Sequence, residues 1–156
     1  MLHLLAVAAA LAAPQIDLPE LFAEQLPDVK AKTELTVLLP QRMPDLFDDY
    51  FPSGEGHKRR YTLDVGAAPD CFSATACFVA DFSARKGGEP FGKRRVDLAR
   101  GRTGWFQPLS CGASCSPPSI SWKERGATYD IQAKLAGGGR RALKRMANSA
   151  IRHGAR

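Results

Sequence analysis

Ser119-Ile120-Ser121-Trp122-Lys123-Glu124-Arg125-Gly126-Ala127-Thr128-Tyr129-Asp130-Ile131 is the stretch whose reading decides the fold. If Arg125-Gly126 forms a two-residue turn, Trp122 falls opposite Tyr129 and Ile120 opposite Ile131 on one face. Lys123 and Ser121 then meet Thr128 and Asp130 on the other. Both faces are chemically consistent, and a slip of one residue would mix them. Arginine is a poor occupant of a left-handed turn position, so a longer loop with Gly126 at the special position stands as a second reading. The aromatic pair should add about 0.5 to 1 kcal/mol beyond simple burial. Core packing is the expected role for Trp122 and Tyr129, ahead of ligand stacking.

Working outward, short strands separated by turn signals continue the pattern, which is that of an antiparallel sheet and not of βαβ units. Tyr61, Leu63 and Val65 share one face of a strand, and Phe78, Ala80 and Phe82 one face of the next, broken by Lys86-Gly87-Gly88. Val96 and Leu98 mark a strand ended by Arg100-Gly101, and Trp105-Phe106 begins one that stops at Pro108. Toward the N-terminus, Leu18, Leu21, Phe22 and Leu26 have helical spacing, with Pro19 acceptable in a first turn, so Asp17–Lys30 reads as a brief helix or packed arm. The apolar, β-branched Leu35–Leu39 reads as a strand closed by Pro40. The proline-, glycine- and acid-rich 41–60 reads as a loop with room for one helical turn.

After Gly137-Gly138-Gly139 the chain ends in a helix. Leu143, Met146, Ala147, Ala150 and Ile151 fall on one apolar stripe, while Arg140, Arg141, Lys144, Arg145 and Arg152 occupy the other side. The fold class expected is therefore α+β: an antiparallel sheet, a short N-terminal helix or arm, and a C-terminal amphipathic helix packed on the sheet.

Four cysteines form two local pairs, Cys71 with Cys77 and Cys111 with Cys115. Three connectivities exist in principle, and proximity favours the local ones. Each such small ring would stabilise the fold by about 2 kcal/mol. Zinc-knuckle and C-x-x-C redox spacings are absent, so structural disulfides are the expectation, with no metal and no cofactor. The apolar run Leu4–Ala13 is too short to span a bilayer, which needs roughly 20 residues. Ala10-Leu11-Ala12 offers the small residues a signal peptidase reads, although the n-region carries no Lys or Arg. Residues 1–13 are thus expected to be a signal peptide and 14–156 a single disulfide-stapled domain, periplasmic or secreted, with no transmembrane segment once mature. No cysteine follows the run to carry a lipid anchor.

The formal charge of +6 arises from the 136–156 tail, which has six basic residues and no acid. Within the balanced remainder, 1–56 holds nine acidic and three basic residues, and 57–135 holds 13 basic and seven acidic. Mutual neutralisation of these regions is the bland account. The sharper one makes Arg140, Arg141, Lys144, Arg145 and Arg152, with Lys58, Arg59, Arg60 and the run Lys93-Arg94-Arg95, an anion-binding surface. Its partner would be an anionic envelope polymer, a membrane surface or a protein. Nucleic acid would use the same electrostatics, but an exported protein seldom meets it, so it is not an expected partner.

Catalytic chemistry is sparse. H-E-x-x-H, G-x-S-x-G, the P-loop and G-x-G-x-x-G are missing, and beyond His3 the histidines are His57 in a glycine-rich loop and His153 near the C-terminus. Ser114 has no nominated base. Asp45, Asp48 and Asp49 are the carboxylates from which an envelope hydrolase or transferase would be built, the alternative to the expected non-enzymatic binding module.

The segments P-L-S-C-G-A-S-C-S-P-P-S-I-S-W, G-A-T-Y-D-I-Q, A-N-S-A-I and A-C-F-V-A-D-F-S-A resemble a group of small uncharacterised exported bacterial proteins. In that group a W-x3-G-x2-Y hairpin precedes a C-terminal helix with an A-N-S-like motif. The resemblance spans about the last 95 residues and implies an extracytoplasmic α+β domain. It implies no activity and assigns no catalytic or binding residue.

Overall fold

The computed structural model describes residues 13–71 and 74–156. The expected signal peptide lies outside the described residues, apart from Ala13. From Pro14 onward the chain is part of the fold: β1 (Gln15–Asp17) pairs antiparallel with β2 (Arg42–Pro44). The brief helix or packed arm expected over Asp17–Lys30 is not one continuous helix. Two short segments replace it, α1 (Leu18–Leu21) and α2 (Leu26–Lys32). Asp17 Oδ1 caps the first by accepting from the Glu20 backbone N–H at 2.9 Å. Pro27 sits in the first turn of α2, where its missing N–H costs nothing.

Leu35–Leu39 is no strand, although Val37, Leu38 and Leu39 are buried; its one ladder contact is the bridge of Leu38 to Ala155. Its backbone is satisfied otherwise. Leu38 N–H donates to Tyr61 Oη (3.0 Å), which donates back to Leu38 O (3.1 Å), and Leu39 N–H donates to Gly154 O (3.0 Å).

The expected loop 41–60 also needs correction, because it contains β2 and β3 (Phe51–His57). β3 hides its strand character behind Pro52, Gly54 and Gly56. Proline is tolerated because β3 is an edge strand. The glycines are demanded by α2 lying across them: a Cβ at Gly56 would stand 2.6 Å from Val29 O, and one at Gly54 2.9 Å from Val29 Cγ2.

The main sheet adds β4 (Arg60–Gly66), β5 (Phe78–Lys86), β6 (Arg94–Asp97), β7 (Thr103–Gln107), β10 (Ser119–Glu124) and β11 (Ala127–Ala133). Between β7 and β10 a two-rung ribbon, β8 (Ser110–Cys111) with β9 (Cys115–Ser116), projects from it. The order is β3-β4-β5-β11-β10-β7-β6, antiparallel throughout, so two meanders are joined along β5 and β11. Leu98 lies beyond β6 and enters a helical turn at 99–101.

The β10–β11 hairpin has the register derived above: Trp122 opposite Tyr129, Ile120 opposite Ile131, Ser121 opposite Asp130, and Lys123 opposite Thr128. The turn is the two-residue form. Arg125 (φ 51°) and Gly126 (φ 75°) are both left-handed, and the Arg125 guanidinium reaches Thr36 Oγ1 at 3.2 Å.

Alternation separates the faces. Leu63, Phe82, Ile120, Trp122, Tyr129 and Ile131 point to one side and are fully buried. Over them lie Leu18 and Phe22 from α1 and its C-cap, Val29 from α2, and α3 (Arg140–His153). The buried residues of α3 are Leu143, Met146, Ala147, Ala150 and Ile151, the stripe read from the sequence. Phe22 meets Phe82 edge-on at 6.2 Å. No described helix is long and apolar enough to cross a membrane.

Candidate functional site

The start of α3 is fixed by glycine. Gly139 (φ 74°) is buried, and a Cβ there would lie 2.9 Å from Pro118 Cγ. It offers no side chain to cap the helix, whose first backbone bond runs from Leu143 N–H to Gly139 O at 2.8 Å. The earlier N–H groups of α3 therefore stay free of intrahelical partners, at the positive end of the helix dipole.

Arg140, Arg141, Lys144 and Arg145 are exposed on the two turns that follow, and with Arg95 from β6 they line one groove of about 860 Å³. Val96, Asp97, Gly137 and Gly139 complete its walls. Asp97 is its one acid and lies 3.7 Å from Arg95. Among the described residues no ion pair includes Arg140, Arg141, Lys144 or Arg145. Residues 140 and 144, and 141 and 145, are like-charged pairs at i,i+4, which repel on a helix by a few tenths of a kcal/mol each. Free N–H groups, dipole and repulsion all act in the same sense, and an anion in the groove would relieve all three.

The remaining candidates do not join them. Lys58, Arg59 and Arg60 sit at the β3–β4 turn, on the opposite edge of the sheet, six strand spacings or about 29 Å away. Lys58 there pairs with Glu34 at 3.4 Å. Arg152 is at the far end of α3, where its carbonyl accepts from Arg100 Nη2 (3.2 Å). Lys93 and Arg94 are exposed but lie outside the groove lining.

Among the described residues, Asp45, Asp48 and Asp49 line none of the five best-formed grooves. Asp45 accepts from Tyr50 Oη (2.7 Å), and that hydroxyl accepts from the N–H groups of Leu46 and Phe47, so the carboxylate closes a turn. Asp48 and Asp49 are exposed. His57 bonds Glu55 at 2.6 Å on the edge strand, and Ser114 lies in the exposed β8–β9 ribbon with no base beside it. Both disulfides are the local ones, Cys71–Cys77 and Cys111–Cys115.

The open face of the sheet holds what sequence reading missed. Asp64 and Asp81 are direct cross-strand partners, which sets two carboxyl groups side by side on this face. Burial, then the charge of Asp64, pushes Asp81 up to about 8, although Ser83 Oγ, 2.8 Å from its Oδ1, opposes the shift. Burial likewise lifts Asp130 to about 6 against the pull of Ser121 and Arg85. The signal was present as the polar members of alternating strands, a pattern that usually denotes a solvated face.

No protein-family model matches the chain, and the comparisons with curated proteins and with solved structures return no match either.

Proposed function

We propose that the protein is an exported binding module of the bacterial envelope, periplasmic or secreted, which engages an anionic partner through the groove between α3 and β6. The observation that carries this reading is the convergence of Arg95, Arg140, Arg141, Lys144 and Arg145 on one groove with a single acid in its wall. Two intramolecular disulfides fit an oxidising compartment. Arginine forks suit phosphate or carboxylate groups on a lipid surface or acidic polymer, and the free N–H groups of α3 add donors for the same oxygens.

The test is titration of the purified 14–156 domain against phosphatidylglycerol vesicles and lipopolysaccharide at increasing salt. Binding at low salt, weakening steeply as salt rises, is expected. Arg140→Gln with Arg141→Gln should abolish most of it, whereas Arg59→Gln with Arg60→Gln, on the other sheet edge, should leave it nearly intact. Absence of binding at low salt, or equal loss in both variants, removes this reading.

A further inference from the structure

Six hydrogen-bonding side chains stand in one row across the open face of the sheet: Ser53, Asp64, Asp81, Gln132, Ser119 and Gln107. Each is the direct cross-strand partner of the next. Five strand spacings give the row a length of about 24 Å. Two basins of about 500 and 340 Å³ adjoin along it, sharing Ser116, Pro117 and Gln132 as a common wall. The disulfide loops rim them, with Cys71 and Thr75 on the first and Ser110 on the second. An exposed phenylalanine ring stands toward either end of the row, Phe51 (37% exposed) lining the first basin and Phe91 (62%) the second.

We infer that this trough is a second binding site, for an uncharged, hydroxyl-rich chain of the glycan class, separate from the basic groove. No lysine or arginine lines either basin, so nothing there attracts an anion. The row crosses the strands instead of following one, and five of its six strands, β4, β5, β11, β10 and β7, are paired on both sides. No ladder groups remain on them for an extended peptide, which would dock at a sheet edge. Recognition on this face must use side chains.

Those side chains are of the right kind. The paired carboxyl groups of Asp64 and Asp81 and the amides of Gln107 and Gln132 set acceptors and donors along one row, and adjacent sugar hydroxyls both donate and accept. Gln132 Nε2 is held by Pro117 O at 3.0 Å, leaving its oxygen for the trough. The phenylalanine rings offer apolar surface to the C–H faces of sugar rings.

Amide-resolved NMR of the labelled domain, titrated with chitotetraose, cellotetraose, maltotetraose and a neutral glycine-serine peptide, tests the inference. At least one oligosaccharide should shift the resonances of the row and of Phe91, equally at low and high salt. Phe91→Ala, an exposed substitution that leaves the core untouched, should weaken that binding about tenfold, as should Gln132→Ala. Arg140→Gln with Arg141→Gln should leave it unchanged, which separates this site from the basic groove. If none of the three sugars moves the row, if the peptide binds in their place, or if both trough variants bind as the parent does, the inference is wrong.

Discussion

Trp122 and Tyr129 stack as cross-strand partners with ring centroids 5.6 Å apart and planes 18° from parallel. Both rings are almost wholly buried, and Tyr129 Oη donates to Thr36 O at 2.8 Å, tying the hairpin to the N-terminal segment. A ligand platform would be dispensable for stability, whereas this pair lies in the core. Trp122→Ala should cost about 3 to 5 kcal/mol in urea unfolding. Tyr129→Phe keeps the ring and loses the bond, at about 1 kcal/mol. Parent-like stability in Trp122→Ala would return the pair to the ligand-binding role.

Arg125 adopts φ 51° with nothing but an exposed contact to Thr36 in return. Asparagine tolerates the left-handed region better and, followed by glycine, is the preferred pair for this turn. Arg125→Asn should therefore raise stability by about 0.5 to 1 kcal/mol, seen as a later urea midpoint with an unchanged slope.

Gly56 is where α2 comes closest to the sheet. Gly56→Ala must push Val29 and its backbone away from β3, and should cost about 1 to 3 kcal/mol while speeding amide exchange in 26–32. Gly112→Ala, with open space around its Cβ position, is the control and should be neutral. Equal behaviour of the two variants would mean that α2 does not rest on β3.

These residues also show how far the sequence could be read. The β10–β11 hairpin and the α3 stripe were legible because their apolar periodicity marks the side that packs in the core: Trp122 opposite Tyr129 and Ile120 opposite Ile131 exclude other registers, even though Ser119, Ser121, Glu124 and Thr128 are buried as well. β3 was illegible because its glycines answer to α2, an element far away in sequence, and glycine in isolation signals a turn. Leu35–Leu39 misled in the opposite way. Its composition is that of a strand, but Tyr61 Oη and the C-terminal backbone satisfy it in place of a ladder. Arg140, Arg141, Lys144 and Arg145 were found because one helix face carries them. Asp64 and Asp81 were not, because only the pairing of β4 with β5 brings them together.

That pairing has a measurable consequence. An unfolded aspartate titrates near 3.9, whereas burial and mutual contact with Asp64 carry Asp81 up to about 8, and burial carries Asp130 up to about 6. Between those values the folded protein holds protons that the unfolded chain has released, so stability must fall as pH rises. The contribution is fully present below about pH 4 and is lost through pH 6 for Asp130 and pH 8 for the Asp64–Asp81 pair. Its slope is about 1.4 kcal/mol per pH unit for each proton retained. Asp81→Asn mimics the protonated state, keeps a donor toward Asp64 and no longer titrates. In urea unfolding followed from pH 4 to pH 9, it should match the parent in acid, exceed it at pH 8, and show a flatter profile. A parent stability that rises from pH 5 to 8, or an Asp81→Asn profile parallel to it throughout, would mean that the two carboxyl groups share no proton in the folded protein.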